Sequence, residues 1–397
     1  MVSQVAGSRN ALWAARGLAF VAFFDLFSQF PVVAPYARQL GASPALVGVA
    51  VGAYSFANLF GNLAAGPLLD RWGRKPALVF SLCAAAGALA LYSVVQSAEQ
   101  LVVVRTLHGL AAAVLSPGAF ALLGDNARPE ARARAFGSAG ALIAVAAVVG
   151  PAFAGIVRER YGAPAVFLIV AAILLATAII IGVIVRERPP TPPDEGPIRA
   201  LGTLLVRQPL ATALTAILAL TVSLGVLVTH LPLVLDARGE QARASGTAFS
   251  VYALVALIGL AGPASRLADR VGRRRPLAAG LLTVGLAMSV FATVGSLAGV
   301  FLASATFGLG FSLLFPAAAA LVADGARAEE RGAAFGLFYA VYSAGTVVGA
   351  TGAGLLSERA GELSPLPFVA GAIVALAAAP VVLLARPKGD RPWSISH

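Results

Sequence analysis

Gly66-Pro-Leu-Leu-Asp70-Arg71-Trp72-Gly73-Arg74-Lys75 lies between two long apolar stretches. It returns, degraded, as Gly262-Pro-Ala-Ser-Arg-Leu-Ala-Asp269-Arg270-Val-Gly272-Arg273-Arg274-Arg275. Asp70, Arg71, Gly73 and Arg74 recur 199 residues later as Asp269, Arg270, Gly272 and Arg273, about half of the 397-residue chain. That period is far too long for a solenoid repeat. A stronger echo follows at the same offset: Asp125, Ala127, Arg128, Glu130, Arg132, Ala135, Phe136 and Gly137 recur as Asp324, Ala326, Arg327, Glu329, Arg331, Ala334, Phe335 and Gly336. One half has been written twice, which is how two-lobed membrane transporters are organised.

Composition sets the solvent. Apolar residues make up 59% of the chain and charged residues only 12%, with a mean hydropathy of +0.86, which no soluble domain shows. The 42 glycines suit close helix–helix approach in lipid, where apolar burial gives no net drive for association. A span takes about 20 apolar residues. Twelve segments qualify, centred near residues 23, 55, 85, 110, 147, 174, 222, 254, 286, 309, 345 and 374. The expected fold is an all-α integral membrane protein with twelve transmembrane helices in two pseudo-symmetric six-helix lobes. The separators Arg71–Pro76, Asn126–Arg134, Arg158–Gly162, Asp236–Arg243, Arg270–Pro276 and Gly325–Arg331 leave no room for a soluble catalytic domain.

The net charge of +11 would point to nucleic acid in a soluble protein, but its distribution argues otherwise. With both termini in the cytoplasm, 22 of the 29 Lys and Arg fall inside and 6 outside, and Arg105 lies within a span. The positive-inside rule therefore predicts cytoplasmic termini in a multi-pass protein of the inner (plasma) membrane, without nucleic-acid binding. The first apolar run has no small-residue cleavage site and reads as a retained span. One cysteine, Cys83, excludes a disulfide framework and a thiolate metal cluster. The Pro-rich, charged stretch 186–206 reads as a cytoplasmic linker between an N-terminal lobe, residues 1–185, and a C-terminal lobe, residues 207–397.

On these residues the chain resembles a twelve-helix member of the major facilitator superfamily. Gly66–Lys75 matches that superfamily's signature between the second and third spans, Gly-x-Leu-x-Asp-Arg-x-Gly-Arg-Lys, at every specified position. The resemblance implies a conformational latch in the outward-facing state, with Asp70 opposite the N-terminus of the eleventh span and Arg74 paired with Asp125. Asp269, Arg273 and Asp324 would be their counterparts in the second lobe. A carboxylate facing a helix N-terminus meets about half a positive charge, worth ~0.3–1 kcal/mol when exposed. Gly66 and Arg71 complete the motif, and Gly73 permits its tight turn.

Asp25, in Phe20-Val-Ala-Phe-Phe-Asp25-Leu-Phe-Ser28-Gln29-Phe, is the acid that falls deep within an apolar span. An intramembrane carboxylate is a functional candidate by default, and desolvation disfavours its charged form, which suits it to carry a proton. Ser28 and Gln29 share its helical face. Arg105, in Leu101-Val-Val-Val-Arg105-Thr-Leu-His108-Gly109, is the matching cation. It resembles the superfamily's fourth-span arginine with glycine four residues on, implicated there in proton coupling. Arginine does not deprotonate usefully, so its expected role is to set the field around Asp25; a static ion pair is the alternative. Gly150, Pro151 and Gly155 in the fifth span resemble the Gly-Pro-x-x-Gly-Gly motif of drug:proton antiporters, with Ala154 replacing one glycine.

Substrate contacts are expected from Gln29, Tyr54, Asn58, His230, Tyr252, Tyr339 and Tyr342, polar or aromatic groups at helical spacing in apolar walls. Walls with few polar groups favour an amphipathic or lipophilic substrate over a sugar. The expected function is proton-coupled efflux of lipophilic or cationic small molecules by alternating access, with the proton as coupling ion and no cofactor or metal. The alternatives are a carrier of a specific metabolite, lysolipid or siderophore and a non-transporting receptor. No nucleophile stands with a base to suggest an enzyme. Each two-lobed chain is expected to work as a monomer in the bilayer.

Overall fold

The computed structural model describes residues 9–128, 131–186, 207–262, 272–327 and 330–385, apart from the side chains of residues 63, 66, 67, 70, 132, 133, 331 and 332. The linker 187–206, Asp269 and Arg270, and the side chains at Gly66 and Asp70, therefore lie outside the described residues.

Fourteen helices are described. The first half holds α1 (Arg9–Ser28), α2 (Val33–Gln39), α3 (Pro44–Trp72), α4 (Arg74–Leu91), α5 (Ala98–Ala112), α6 (Leu115–Asn126), α7 (Arg132–Tyr161) and α8 (Ala163–Ile184). The second half holds α9 (Gln208–Ala237), α10 (Ala242–Ala261), α11 (Arg274–Thr293), α12 (Leu297–Gly325), α13 (Arg331–Ala360) and α14 (Leu366–Leu384). Twelve stretches are long and apolar enough to span a membrane, with α5 and α6 counting as one. The repeat is visible in the helix ends: α7 and α13 are offset by 199 residues at both ends, as are Ala98–Asn126 and α12.

The two halves differ where the first is broken. Residues 208–237 form one helix, whereas the equivalent stretch of the first half stops at Ser28, turns through Gln29–Val32 and restarts as α2. Pro31 has no N–H to continue the ladder, and the turn is closed instead by short-range bonds such as Val32 N–H to Gln29 O at 3.1 Å. Asp25 thus sits just before a break, near the middle of Arg9–Gln39.

The separators expected at Arg71–Pro76 and Arg158–Gly162 are shorter than the sequence suggested. Helix α3 runs through Trp72 and α4 starts at Arg74, so the turn of the signature motif is Gly73 alone, at φ +84°. Gly162, at φ +82°, does the same between α7 and α8. Glycine adopts this conformation at no steric cost, and helical charges at both sides follow from so tight a turn. Arg207, at the start of the second half, donates to both oxygens of Glu330 at 2.5 and 3.0 Å. That contact holds the Glu330 carboxyl below the usual range, so the clasp is lost only as the pH falls past the depressed value.

The halves meet along α3–α13 and α7–α10. An added Cβ at Gly48 would meet Gly354 Cα at 3.1 Å, and one at Gly155 would meet Gly246 Cα at 3.1 Å. These small residues let backbones approach as lipid-embedded helices require. Around them, at the end of the molecule opposite Arg9 and Ala385, lie the ion pairs Arg38–Glu362 and Arg158–Asp236. Glu358 accepts the Ala45 N–H at the start of α3 at 3.0 Å, and Glu159 accepts the Arg243 N–H at the start of α10 at 3.1 Å. Glu159 and Glu358 are 199 residues apart, so each half offers one carboxylate to a helix N-terminus of the other. Ser250 Oγ donates to Val148 O at 2.6 Å and Arg243 Nε lies 3.8 Å from Glu159 Oε2, adding to the contacts across the halves.

Each exposed carboxylate at a helix N-terminus contributes about 0.3–1 kcal/mol, so losing both shifts the seam equilibrium about three- to thirtyfold toward open. With Cys83 replaced and spin labels at Gln39 and Leu363, Glu159→Gln with Glu358→Gln is expected to add a long-distance population in double electron–electron resonance. Unchanged distance distributions would remove these caps from the account of the seam.

Candidate functional site

Asp25 and His108 have no exposed surface, and Arg105 and Gln29 are each 5% exposed. Asp25 Oδ2 lies 3.0 Å from His108 Nε2, and Gln29 Nε2 donates to Asp25 Oδ1 at 2.7 Å. Arg105 does not touch Asp25: its Nη1 donates to Gln29 Oε1, its Nε to Ala50 O at 3.2 Å and its Nη2 to Val51 O at 3.4 Å. The guanidinium also lies 5.1 Å from the Tyr54 ring centroid, within cation–π range. The direct pairing of Asp25 with Arg105 that the sequence suggests is thus mediated by Gln29, whose amide accepts from the cation and donates to the anion. His108 takes the place at the carboxylate.

The arrangement follows from local packing. Asp25 and Gln29 are four apart on α1, and Arg105 and His108 three apart on α5, so each pair shares a face. An added Cβ at Gly109 would strike the Tyr54 carbonyl, so glycine there brings α5 against α3, within reach of the Ala50 and Val51 carbonyls. An added Cβ at Gly150 would lie 3.3 Å from Phe24 O and Ser28 N. The glycine of the fifth-span motif therefore lets α7 pass α1 beside Asp25. Pro151 and Gly155 continue along α7 to the seam, where an added Cβ at Gly246 would strike Pro151 O.

Arg105 and Asp25 are joined through the Gln29 amide, and the His108 imidazole lies against the other carboxylate oxygen. An ionised carboxylate in a span costs ~2.5–3.5 kcal/mol on insertion scales when unpaired, and this network supplies the compensation. The carboxylate is the side chain here whose charge a proton removes, because the guanidinium keeps its own.

The second half copies the frame without the charges. At the repeat offset Leu224 replaces Asp25, Ser304 replaces Arg105 and Phe307 replaces His108. The ring pair survives: Tyr54–His108 centroids are 5.2 Å apart and Tyr252–Phe307 centroids 5.3 Å, both edge-to-face. Gly308 meets the Tyr252 carbonyl as Gly109 meets that of Tyr54. Phe311, Phe315, Phe338 and Tyr339 extend this aromatic cluster.

Of the other sequence candidates, Asn58 donates to Gly109 O at 3.2 Å and accepts from Asn62 at 2.6 Å. His230 is buried near the seam end with both nitrogens engaged, by Ser364 O at 2.9 Å and Ser357 Oγ at 3.2 Å, which leaves neither for a ligand in this state. Tyr252 is buried, and Tyr339 is 49% exposed. Arg74 pairs with Asp125, and Arg273 lies 3.5 Å from Asp324, so the pairing implied for the first half is present in both. Asp70 and Asp269 lie outside the described residues.

Sequence reasoning missed three parts of this assembly. His108 carried a signal, its position three residues beyond Arg105. Tyr92, whose hydroxyl lies 3.2 Å from His108 Nδ1, and Tyr36, whose hydroxyl donates to Tyr92 O at 2.6 Å, carried none. Arg158, read as part of a separator, is a second buried arginine and also donates to Pro31 O at 3.0 Å.

Comparison with known proteins agrees with this architecture. Multidrug resistance protein 1 of Bacillus subtilis (strain 168) is 28% identical over 184 residues, 46% of this chain and 47% of that protein. Inner membrane transport protein YajR of Escherichia coli (strain K12) is 32% identical over 178 residues, 44% of this chain and 38% of that protein. The chain thus spans less than half the length of these curated relatives. Among solved structures, a bacterial homologue of the human lysosomal transporter Spinster, in an inward-facing and occupied conformation, shares the fold. Its TM-score is 0.81 at 16% identity, covering 94% of this chain and 96% of that one. The family model described as Major Facilitator Superfamily matches residues 17–266 and 243–396. Because that match runs through both copies of the repeat, the chain belongs to the Major Facilitator Superfamily, a superfamily of transporters rather than enzymes.

Proposed function

We propose that the protein exports lipophilic, preferentially cationic, small molecules in exchange for protons by alternating access. The observation that carries this reading is the buried Asp25 carboxylate, held by His108 and Gln29 in one half, where the other half has an uncharged aromatic copy of the same frame. A proton neutralises Asp25 and so removes the charge that would compensate a bound cation; proton and cation then compete for one negative site. Aromatic walls supply apolar and cation–π contact without demanding a fixed set of hydroxyl partners.

Arg9 and Ala385, the first and last described residues, lie at the same end as the basic turn at Gly73, which the positive-inside rule assigns to the cytoplasm. In this reading the seam contacts close the outer side, which suits a state ready to take substrate from the cytoplasm or inner leaflet. Arg74–Asp125 and its repeat Arg273–Asp324 brace the inner turns, and Asp70 supplies the inner counterpart of the Glu159 and Glu358 caps when the halves rock. Competition between inner and outer contacts, each worth little alone, leaves the equilibrium free to respond to ligand. The relative named as a multidrug resistance protein supports export over import. The chain works as a monomer in this reading, with the proton as the coupling ion.

Two outcomes are expected. In proteoliposomes with an imposed pH gradient, Asp25→Asn is expected to lose uphill efflux of a lipophilic cation at least tenfold while still exchanging substrate downhill; retained uphill efflux would sink the coupling role. Screening the wild type with lipophilic cations, lysolipids and siderophores separates a broad exporter from a carrier of one class. Arg74→Ala is expected to slow turnover severalfold with substrate affinity nearly unchanged, and a turnover equal to wild type would discount the inner brace.

A further inference from the structure

Resting on the proton-coupled reading above, we propose that the transported proton is held by Asp25 and His108 together, and that Tyr92 switches from hydrogen-bond donor to acceptor when it binds.

The geometry singles out His108 among the groups around Asp25. On α1, Gln29 donates its amide to Oδ1 and carries no exchangeable acid. On α5, Arg105 gives donors to Gln29 and to the α3 carbonyls of Ala50 and Val51, stands against the Tyr92 hydroxyl as well, and does not give up a proton. On α3, Tyr54 presents its ring to the guanidinium and to the edge of the His108 ring. After α4, Tyr92 meets the other nitrogen of His108. On α2, Tyr36 reaches only the Tyr92 carbonyl. From α7 the nearest residue is Gly150, and from α8 it is Phe167 against Tyr92 and Tyr36. Among the described residues, the imidazole is therefore the one base within hydrogen-bond distance of the carboxylate.

The proton count fixes what each group does. Without the added proton, neutral His108 donates from Nε2 to the Asp25 carboxylate, and its bare Nδ1 accepts the Tyr92 hydroxyl. With one proton added, two arrangements keep a hydrogen in the contact between Nε2 and Oδ2: either the ring is an imidazolium protonated at both nitrogens and facing a carboxylate, or Asp25 carries the proton and donates to a bare Nε2 while the ring holds its own hydrogen at Nδ1. In both arrangements Nδ1 donates to the Tyr92 oxygen, and the Tyr92 hydrogen turns away from the ring. No bond to carbon changes, one proton enters, and the pair changes from one negative charge to none. The bridge through Gln29 keeps Arg105 close enough to bias the charge without taking part in the exchange.

The pairing is 83 residues apart in the chain and wholly buried, so it specifies a site rather than a local helix contact. A merely structural histidine would need its two hydrogen bonds in one fixed tautomer, and its ring nitrogens would not respond to Asp25.

The chain holds three histidines, His108, His230 and His397, so His230→Gln with His397→Gln leaves a single ring to observe. In that background, reconstituted in nanodiscs with ¹⁵N-histidine, the His108 ring shifts are expected to change with pH in one step. The midpoint moves by at least about one unit in Asp25→Asn, a tenfold change in proton affinity, and Tyr92→Phe changes the Nδ1 shift. Ring shifts that are independent of pH, or a midpoint indifferent to Asp25→Asn, overturn the proposal. Transport separates this proposal from the reading on which it rests. His108→Gln is expected to lose proton-coupled flux at least tenfold while binding substrate within about threefold of wild type. Proton flux in wild type that persists in His108→Gln overturns the proposal and leaves the antiport reading intact, whereas substrate transport without proton movement in wild type overturns both. If His108→Gln does not fold, the Tyr92→Phe titration and flux decide in its place.

Discussion

A carboxylate removed from water in the middle of a bilayer-spanning helix is the constraint around which this protein is arranged. Left alone it would be neutral or would not insert. Here its two oxygens are taken by His108 and Gln29, and a guanidinium stands one amide away. The helices are placed to make those contacts: Gly109 seats α5 on α3, Gly150 lets α7 pass α1, and Arg105 is steadied by two α3 carbonyls that the helix leaves accessible to a buried donor. The break after Ser28, which the second half lacks, falls immediately beyond the acid and allows Gln29 to turn back onto it.

Duplication explains both the symmetry of the frame and its unequal use. Edge-to-face ring pairs and their underlying glycines occur in both halves, but the ionisable groups occur in one. Compensating one buried charge is feasible with a handful of donors, whereas two such centres within one cavity would repel or require a second network. The seam reuses the symmetry for a different end, with a carboxylate from each half at a helix N-terminus of the other. Contacts of this strength bias a rocking motion without locking it.

Much of the fold was legible because the bilayer imposes a length and a composition on each span, and because the repeat places the signature motif at both Gly73 and Gly272. The pairing of Arg74 with Asp125 was readable through the resemblance, and its repeat Arg273–Asp324 followed. The extent of the turns was not, since a charged stretch such as Arg71–Pro76 reads as loop until one sees that Gly73 alone makes the turn and the charges lie within the helices on either side. The site was half legible. Asp25 and Arg105 announced themselves by being charged among apolar residues, but a neutral histidine or tyrosine in such a run gives no comparable contrast. Which side chain meets Asp25 depends on the rotation of α5 against α1, a tertiary quantity with no periodic trace. Arg158 was misread for a related reason: it lies near a span end where basic residues are ordinary, and only packing shows that it is buried against Asp236 and Pro31.

The central claim is that proton and substrate compete for the single negative charge at Asp25. The direct measurement is proton release when a lipophilic cation such as tetraphenylphosphonium binds the purified protein in weakly buffered detergent solution with an indicator dye. Linkage requires a release approaching about one proton per bound cation at a pH where the site is protonated, and none in Asp25→Asn. Binding by the wild type without proton release, or undiminished release from Asp25→Asn, would contradict it.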